Sequence, residues 1–180
     1  MAKLLALVLR LTKLASRKQG EKLVLSDGVF SMDGDIADVA ALAETCQRHD
    51  AWLMIDDAHG FGVLGDNCRG TLEHTGVSTA AVPVYMATLG KALGTAGAFV
   101  SGSDELVETL IQRARTYIYT TATPAAVAEA TRASLKLIQT EPQWRERLQQ
   151  NIRYFRNCCN QTNIQGNGCG PSHSDQLPRF

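Results

Sequence analysis

The sequence predicts an α/β fold with a mostly parallel β-sheet flanked by helices. Residues 22–25 and 51–55 are short apolar runs that predict buried strands, and residues 35–49 between them carry apolar side chains at helical spacing. Asp35 stands where a helix N-cap is expected. A strand, a helix and a strand in this order form a βαβ unit, whose two strands lie parallel because the helix crosses the sheet between them.

Further elements follow this unit. Residues 82–87 and 97–101 predict two more strands, close enough in sequence to be neighbours in the sheet. Pro124 suits the first turn of a helix, because proline lacks only an N–H that the first turn does not use. The remaining predicted helices occupy residues 3–15, 103–114, 124–139 and 141–156.

The composition of the chain changes after Arg156. Residues 157–180 are rich in Asn, Gln, Gly, Ser and Cys and have no apolar period, which predicts an irregular tail. The cysteines and the histidine of this region have no zinc-finger spacing, so we predict no metal site there. The predicted organisation is a partial domain over residues 1–156 followed by a tail over 157–180.

Composition argues against several classes of function. Lys plus Arg and Asp plus Glu number 18 each, so the basic excess of a nucleic-acid-binding protein is missing. No apolar run approaches the roughly 20 residues of a membrane-spanning helix. The five cysteines are odd in number and irregularly spaced, which argues against a disulfide framework and predicts a cytoplasmic protein. The sequence also lacks the glycine-rich motifs of common nucleotide-binding folds.

One lysine stands just after a predicted strand and between two glycines. Lys91 lies in TLGKALGTAG, with Gly90 and Gly94 on either side. Small neighbours leave room for a bulky ligand, and a lysine that is partly desolvated can act as an amine nucleophile on a carbonyl. The alternative is an ordinary solvated lysine, which composition alone favours.

An acidic pair and a histidine follow the second predicted strand, in IDDAHGFGVLG. The Asp56 carboxylate could pair with a protonated heterocyclic nitrogen, and His59 could stack or hydrogen-bond in the same pocket. One alternative is an Asp-turn that only shapes the loop. Another is a metal-dependent hydrolase that uses Asp56, Asp57 and His59, although the spacing lacks a convincing third ligand.

Several hydroxyl side chains are candidate ligand contacts. Ser31 follows the first predicted strand, in SDGVFSMDGD, and Thr88 precedes the lysine motif. Thr120 and Thr121 precede the helix near Pro124, where free backbone N–H groups suit a phosphate. Helix capping is the simpler alternative for these two threonines.

Taken in order, four motifs resemble those of the α-oxoamine synthases, a family of fold-type I enzymes that depend on pyridoxal phosphate (PLP). The resemblance runs from about residue 20 to residue 156. It implies part of the large domain of a fold-type I transferase, which forms a homodimer when the whole fold is present. The motifs are GVFSMDGD at 28–35, WLMIDDAHGFGVLG at 52–65, TLGKALG at 88–94 and YIYTTATP at 117–124.

The resemblance implies a role for each candidate residue. Lys91 would hold PLP covalently and act as base for the substrate α-proton. Asp56 would keep the pyridine nitrogen protonated, so that the ring accepts electron density, and His59 would hydrogen-bond the 3′ oxygen. The other implied cofactor contacts are Ser31, Thr88 at the phosphate and Thr121 across a dimer interface.

The resemblance also implies a reaction, the decarboxylating condensation of an amino acid with an acyl thioester. The motif wording is most similar to members that condense L-alanine with pimeloyl-CoA or a pimeloyl carrier protein in biotin synthesis. Two alternatives stay open, a relative that uses glycine and acetyl-CoA and an inactive remnant. The upstream glycine-rich segment with its stacking histidine, and the C-terminal domain, have no counterpart here, so we expect a fragment that binds PLP weakly.

Overall fold

The structure is a computed structural model that describes residues 20–161 and the side chains of residues 20–159. The helix predicted over 3–15 and the part of the predicted tail after residue 161 lie outside the described residues. In chain order the elements are β1 (Leu23–Asp27), α1 (Val39–Arg48), β2 (Trp52–Asp56), α2 (Thr71–Thr75), a 3₁₀ turn (Thr79–Ala81), β3 (Val84–Thr88), β4 (Ala98–Ser101), α3 (Asp104–Arg113), α4 (Arg115–Ile118), α5 (Ala125–Thr140) and α6 (Gln143–Gln161).

The four strands form one sheet in the order β1-β2-β3-β4. Strand β1 pairs parallel with β2, and β2 parallel with β3, which confirms the βαβ unit and the mostly parallel sheet. Strand β4 is the neighbour of β3, as predicted, and pairs antiparallel with it. Residues 89–97 between these two strands are too few for the crossover that a parallel pair needs.

The core lies between the sheet and α1. Val24, Leu53 and Ile55 point to the face that α1 covers, and they pack there against buried side chains of that helix, Val39 and Leu42 among them. The period-2 alternation of a strand explains this selection, since Leu23 and Leu25 on either side of Val24 are exposed. Burying such side chains contributes about 1.5–3 kcal/mol each.

The start of α1 corrects one prediction. Asp35 is not the N-cap; Asp38 is, and its carboxylate accepts a hydrogen bond of 3.0 Å from the N–H of Ala41. The chain before the helix is engaged in a turn, because the N–H of Ala37 donates to the carbonyl of Gly28 at 2.9 Å. The helix therefore begins only after that turn is complete.

Other differences concern short elements and helix ends. Helices α2 and α4 and the 3₁₀ turn are too short to show an apolar period, and the sequence did not predict them. Pro124 is the cap residue before α5 and lies outside its first turn. Helix α6 continues through Gln161, so residues 157–161 are helical where an irregular tail was predicted. Asn, Gln and Cys cost only tenths of a kcal/mol in a helix, about 0.7 at most, so their enrichment does not end one.

The helices after the sheet are exposed. Helices α3, α4 and α5 contain no buried residue within the described part of the chain. Across residues 20–161, no helix combines the length and the apolar character that crossing a membrane requires.

Candidate active site

Three of the predicted site residues follow the carboxyl ends of adjacent strands. Asp56 is the last residue of β2, Thr88 is the last residue of β3, and Ser31 lies in the loop after β1. Because β1, β2 and β3 are parallel, their carboxyl ends meet at one edge of the sheet. Open α/β sheets bind their ligands at this edge.

Lys91 and His59 are in direct contact at this edge. The Lys91 Nζ atom lies 2.8 Å from the His59 Nε2 atom, although the two residues are 32 positions apart. A neutral imidazole accepts a hydrogen bond at one nitrogen and donates at the other, so this pair joins a proton donor to a proton acceptor. The loops after β2 and β3 thus bring two groups together that can exchange a proton.

The sequence left two interpretations of Lys91 open, a partly desolvated amine and a solvated lysine. Its side chain is exposed in the structure, which agrees with the solvated lysine that composition alone favoured. The reason is local, since the neighbouring glycines and Ala92 supply almost no side-chain atoms to cover the amine. His59 is exposed as well.

The loop of Lys91, residues 89–97, is closed by its own backbone. The N–H of Leu89 donates to the carbonyl of Gly97 at 2.9 Å, and the N–H of Gly94 donates to the carbonyl of Lys91 at 2.9 Å. The Thr88 hydroxyl donates to the Gly97 carbonyl at 3.1 Å and accepts from the N–H of Gly90 at 3.2 Å. Thr88 therefore already has a structural role in this loop.

Asp56 forms the Asp-turn that was one of the open alternatives. Its Oδ1 atom accepts a hydrogen bond of 3.0 Å from the N–H of Ala58. The side chain is half-buried. This turn fixes the carboxylate at the end of β2, on the chain that leads to His59.

Asp57 differs from its neighbour, because its carboxylate points into the protein and is 0% exposed. It accepts hydrogen bonds from the Thr71 N–H at 2.7 Å, from the Thr71 hydroxyl, and from the Tyr85 hydroxyl at 2.6 Å. Burial raises the pKa of Asp57 above its ordinary value, and the hydrogen bonds from Thr71 and Tyr85 lower it only in part. Burial, followed by the bond to Asp57 and its charge, also raises the pKa of Tyr85.

The buried Asp57 carboxylate, held by Thr71 and Tyr85, anchors the loop after β2. The sequence contained a signal for this anchor that the motifs did not reveal. Leu53 and Ile55 lie two residues apart on the core face of β2, and Asp57, the residue after the strand, continues this alternation. Two glycines of the loop pack directly on the anchor. A Cβ atom at Gly60 or at Gly70 would collide with the oxygens of Asp57, which explains why the loop carries glycine there.

This arrangement argues against the metal-dependent hydrolase. The oxygens of Asp57 are engaged by Thr71 and Tyr85, so Asp57 is not turned toward a site shared with Asp56 and His59. Among residues 20–161, no group of three or more His, Cys, Asp or Glu side chains is arranged to hold a metal ion.

Two predicted contacts are not joined to the Lys91–His59 pair. Ser31 and Thr121 are both exposed, and in the described part of the chain neither side chain is hydrogen-bonded to Lys91 or His59. Thr121 lies between α4 and α5, and the hydroxyl of its neighbour Thr120 donates to the Thr116 carbonyl. The cofactor roles of Ser31 and Thr121 stay predictions.

Side chains of the later helices reach the two site loops, and no sequence motif pointed to them. The Ser134 hydroxyl on α5 donates to the Leu93 carbonyl at 2.8 Å. The Arg145 guanidinium on α6 donates to the Gly65 carbonyl at 2.9 Å and to the Asp66 carbonyl at 2.8 Å. These three bonds end on backbone carbonyls, which leave no recognisable residue pattern. The Arg145 guanidinium also contacts the Cys68 Sγ atom at 3.0 Å.

Residues 4–175 match the family described as Aminotransferase class I and II. The chain belongs to this family. It is 61% identical over 137 residues to the 8-amino-7-oxononanoate synthase of Thioalkalivibrio sulfidiphilus, a match that covers 76% of this chain and 35% of the relative. Over 143 residues it is 61% identical to the enzyme of the same name from Methylococcus capsulatus, with 79% and 37% covered.

Solved structures agree with the fold. A serine palmitoyltransferase from S. paucimobilis with a bound PLP–myriocin aldimine superposes with a TM-score of 0.82 at 30% identity, covering 91% of this chain and 41% of that one. An 8-amino-7-oxononanoate synthase from Francisella tularensis gives 0.71 at 35% identity, with 89% and 47% covered. The predicted resemblance and the fold-type I architecture are thereby confirmed. The chain spans between a third and a half of the length of these four relatives.

Proposed function

We propose that the chain carries the PLP-binding part of an acyltransferase similar to 8-amino-7-oxononanoate synthase, with Lys91 as the residue that bonds to the cofactor. The observation that carries this proposal is the 2.8 Å contact between Lys91 and His59 at the carboxyl edge of the sheet. The family membership and the relatives at 61% identity support it.

The residues at this edge fit the chemical groups of PLP. The cofactor has an aldehyde, a pyridine nitrogen, a 3′ oxygen and a phosphate, which call for an amine, a carboxylate and hydrogen-bond donors. The two glycines beside Lys91 border open space. A Cβ atom at Gly94 would meet nothing within 4 Å, and one at Gly90 would meet nothing closer than 3.6 Å. The absence of packed side chains at these two positions supports the approach of a planar ring to the Lys91 loop.

Each polar side chain has a proposed task. Lys91 would bond to the cofactor aldehyde and, once released as an amine, would take the proton from the substrate α-carbon. Asp56, half-buried at the end of β2, would hold a proton on the pyridine nitrogen, and His59 would donate to the 3′ oxygen. When bound, PLP supplies an electron sink for the carbanion at the α-carbon.

The remaining proposed contacts are hydroxyls. Thr88 would bind the phosphate, and to donate its proton it would have to release the Gly97 carbonyl, its present acceptor. Ser31 would contact the cofactor from the loop after β1. We further propose a homodimer in which Thr121 reaches the phosphate site of the partner. The exposure of Tyr117 (64%) and Tyr119 (78%) beside Thr121 supports this, because exposed aromatic side chains are typical of interfaces.

The proposed reaction joins L-alanine to a pimeloyl thioester of CoA or of a carrier protein. The α-carbon of alanine would lose its proton to Lys91 and form a bond with the thioester carbonyl carbon, and the thiol would leave. The alanine carboxylate would then depart as CO2, and a proton would take its place on the α-carbon. The product is 8-amino-7-oxononanoate. The resemblance of the motifs implied this reaction, and the names of the relatives support it.

Two measurements on the purified chain test these proposals. PLP is added to the wild type and to Lys91→Arg, and the absorbance of lysine-bound PLP is recorded; we expect a weak signal in the wild type and none in the variant. An undiminished signal in Lys91→Arg would refute the assignment of Lys91. Pimeloyl-CoA is then added with L-alanine or with glycine, and CoA release is followed. We expect slow release that depends on alanine; a preference for glycine would contradict the proposed substrate.

A further inference from the structure

We propose that Ser134 on α5 and Arg145 on α6 are positioning residues, which set the distance between Lys91 and His59 by holding the two loops that carry them. Lys91 and His59 are both exposed. Their contact therefore depends on where the two loops lie and not on packing around the side chains themselves. That this distance matters for the attachment of PLP to Lys91 rests on the function proposed above.

The Lys91 loop is held by α5 at points on both sides of the lysine. After Lys91, the Ser134 hydroxyl donates to the Leu93 carbonyl at 2.8 Å. Before Lys91, the Leu89 carbonyl accepts from the Thr95 hydroxyl at 3.1 Å. The Thr131 hydroxyl contacts Thr95 at 3.0 Å, and its one proton is shared between the Thr95 hydroxyl and the Val127 carbonyl, which lies at 2.8 Å. Residues 89 and 93 enclose the lysine, so α5 fixes the turn from which its side chain extends.

The loop after β2 is held by α6 and by Glu73. Arg145 donates to the carbonyls of Gly65 and Asp66 at 2.9 and 2.8 Å. The donors of the same segment are engaged as well, because the Glu73 carboxylate accepts from the N–H groups of Asn67 at 3.1 Å and Arg69 at 3.0 Å. A cation on the carbonyls and an anion on the N–H groups hold the segment through charge-assisted hydrogen bonds.

Backbone bonds connect this held segment to the turn that carries His59. The N–H of Gly62 donates to the carbonyl of Cys68 at 3.0 Å, and the N–H of Gly70 donates to the carbonyl of Leu64 at 2.9 Å. A displacement of residues 65–69 is therefore passed on to residues 60–64 and to His59 next to them.

The two loops and α5 meet at Gly62. A Cβ atom there would lie 2.8 Å from the Cβ atom of Ala92 and 3.3 Å from the Cδ1 atom of Ile138. Ala92 is the residue next to Lys91, and Ile138 belongs to α5. The absence of a side chain at Gly62 lets the loops approach closely. A reactive pair that is placed by loops needs such support, because an error of about 1 Å in position costs much of the function.

The test measures the Lys91–His59 distance chemically, in the chain without PLP. Formaldehyde joins an amine and a ring nitrogen through one methylene group with loss of water, so it bridges only atoms that are already close. The yield of the Lys91–His59 bridge is measured by peptide mapping in the wild type, in Ser134→Ala and in Arg145→Met. We expect the yield to fall about fivefold in Ser134→Ala, the factor that loss of one hydrogen bond produces. The fall should be larger in Arg145→Met, which loses two bonds to the loop.

Matched controls separate positioning from general loosening of the fold. Thr140→Ala removes a hydroxyl on α5 whose hydrogen bond, among the residues that the structure describes, stays within its own helix, at the Lys136 carbonyl. Arg147→Met removes an exposed arginine on α6. Both should keep the wild-type yield. Ser134→Thr should restore most of the yield, because threonine keeps a hydroxyl on the same Cβ position, and Tm is recorded for every variant.

Several outcomes would overturn the proposal. One is a wild-type yield in folded Ser134→Ala and Arg145→Met. Another is an equal fall in the controls, and a third is the absence of the bridge from the wild type itself. These outcomes do not depend on PLP, whereas failure of the proposed function would show as missing attachment of PLP to Lys91 in a chain whose bridge yield is normal.

Discussion

The sheet half of the chain, residues 22–101, and the helical half, residues 103–159, use the same local rules but bury their side chains very differently. In the sheet half, Leu53 and Ile55 are 0% exposed and α1 covers them. In the helical half, α3, α4 and α5 contain no buried residue, and large apolar side chains such as Tyr154 at 73% and Phe155 at 62% are exposed. A helical period thus predicts a helix without predicting a core.

The difference also separates two contributions to the candidate site. The sheet half supplies the side chains that we propose to be reactive, Asp56, His59 and Lys91. The helical half supplies bonds to the loops between them, from Ser134 and Arg145. Stability and site geometry should therefore respond differently to changes in the two halves.

The largest expected effect compares one leucine in each half. Leu53→Ala should lower the free energy of unfolding by about 2–5 kcal/mol, because it opens a cavity in the core. Leu137→Ala, at a side chain that is 46% exposed on α5, should change it by less than about 0.5 kcal/mol. Urea unfolding of both variants gives the two values, and equal losses would show that the helical half has a core of its own.

The next effect compares the two adjacent carboxylates. Asp57→Asn should cost about 1–3 kcal/mol, because an amide group places a donor against the hydrogen-bond donors of Thr71 and Tyr85. Asp56→Asn should leave thermal stability nearly unchanged and weaken PLP binding. Thermal unfolding and PLP titration of both variants check the pair, and the reverse pattern would exchange the roles of the two residues.

A smaller effect is expected where the two halves meet. Gly62→Ala places a Cβ atom against Ala92 and Ile138 at a backbone φ of +78°, so both strain and contact oppose it. Gly34→Ala is the matched control, since its φ is +72° and a Cβ atom there meets nothing within 4 Å. Both should lose about 1 kcal/mol from backbone strain; the further loss, and a weaker Lys91–His59 bridge, should be confined to Gly62→Ala.

The smallest effect is a pH dependence at Glu73. Partial burial raises the pKa of this carboxyl, but the hydrogen bonds from Asn67 and Arg69 outweigh it, so the pKa lies below its ordinary value of 4.5. A lowered folded-state pKa stabilises the fold above pH 4.5, and this contribution is lost as the pH falls through the folded-state value. Glu73→Gln should lower Tm slightly at neutral pH and match the wild type in acid. Glu108→Gln, at an exposed side chain on α3, is the matched control for the substitution itself.

The strands and the longer helices could be predicted because their signals are local. The apolar runs of 22–25 and 51–55 and the helical spacing of 35–49 are sufficient to predict the βαβ unit. The short connection after β3 is sufficient to predict that β4 is its neighbour. The cap at Asp35 was wrong because the preceding turn, closed by the bond from Ala37 to Gly28, is a contact that no period reveals.

The site could be predicted only in part, and for the same reason. Motif order pointed to Lys91, His59 and Asp56, but their assignment came from resemblance, since composition alone favoured a solvated lysine. The 2.8 Å contact joins loops after two different strands, and only the fold creates it. Ser134 and Arg145 bond to backbone carbonyls 41 and 80 positions away. Because every residue has a backbone carbonyl, the sequence gives no sign of these bonds.

Borohydride reduction followed by peptide mapping tests the central claim most directly. The chain is mixed with PLP in the absence of L-alanine, and borohydride reduces the bond between cofactor and lysine. The amount of label is then compared at Lys91, Lys22 and Lys136. We predict that the label accumulates at Lys91, at PLP concentrations where Lys22 and Lys136 stay unmodified, and that Asp56→Asn reduces it. Label distributed evenly over the three lysines would contradict the account.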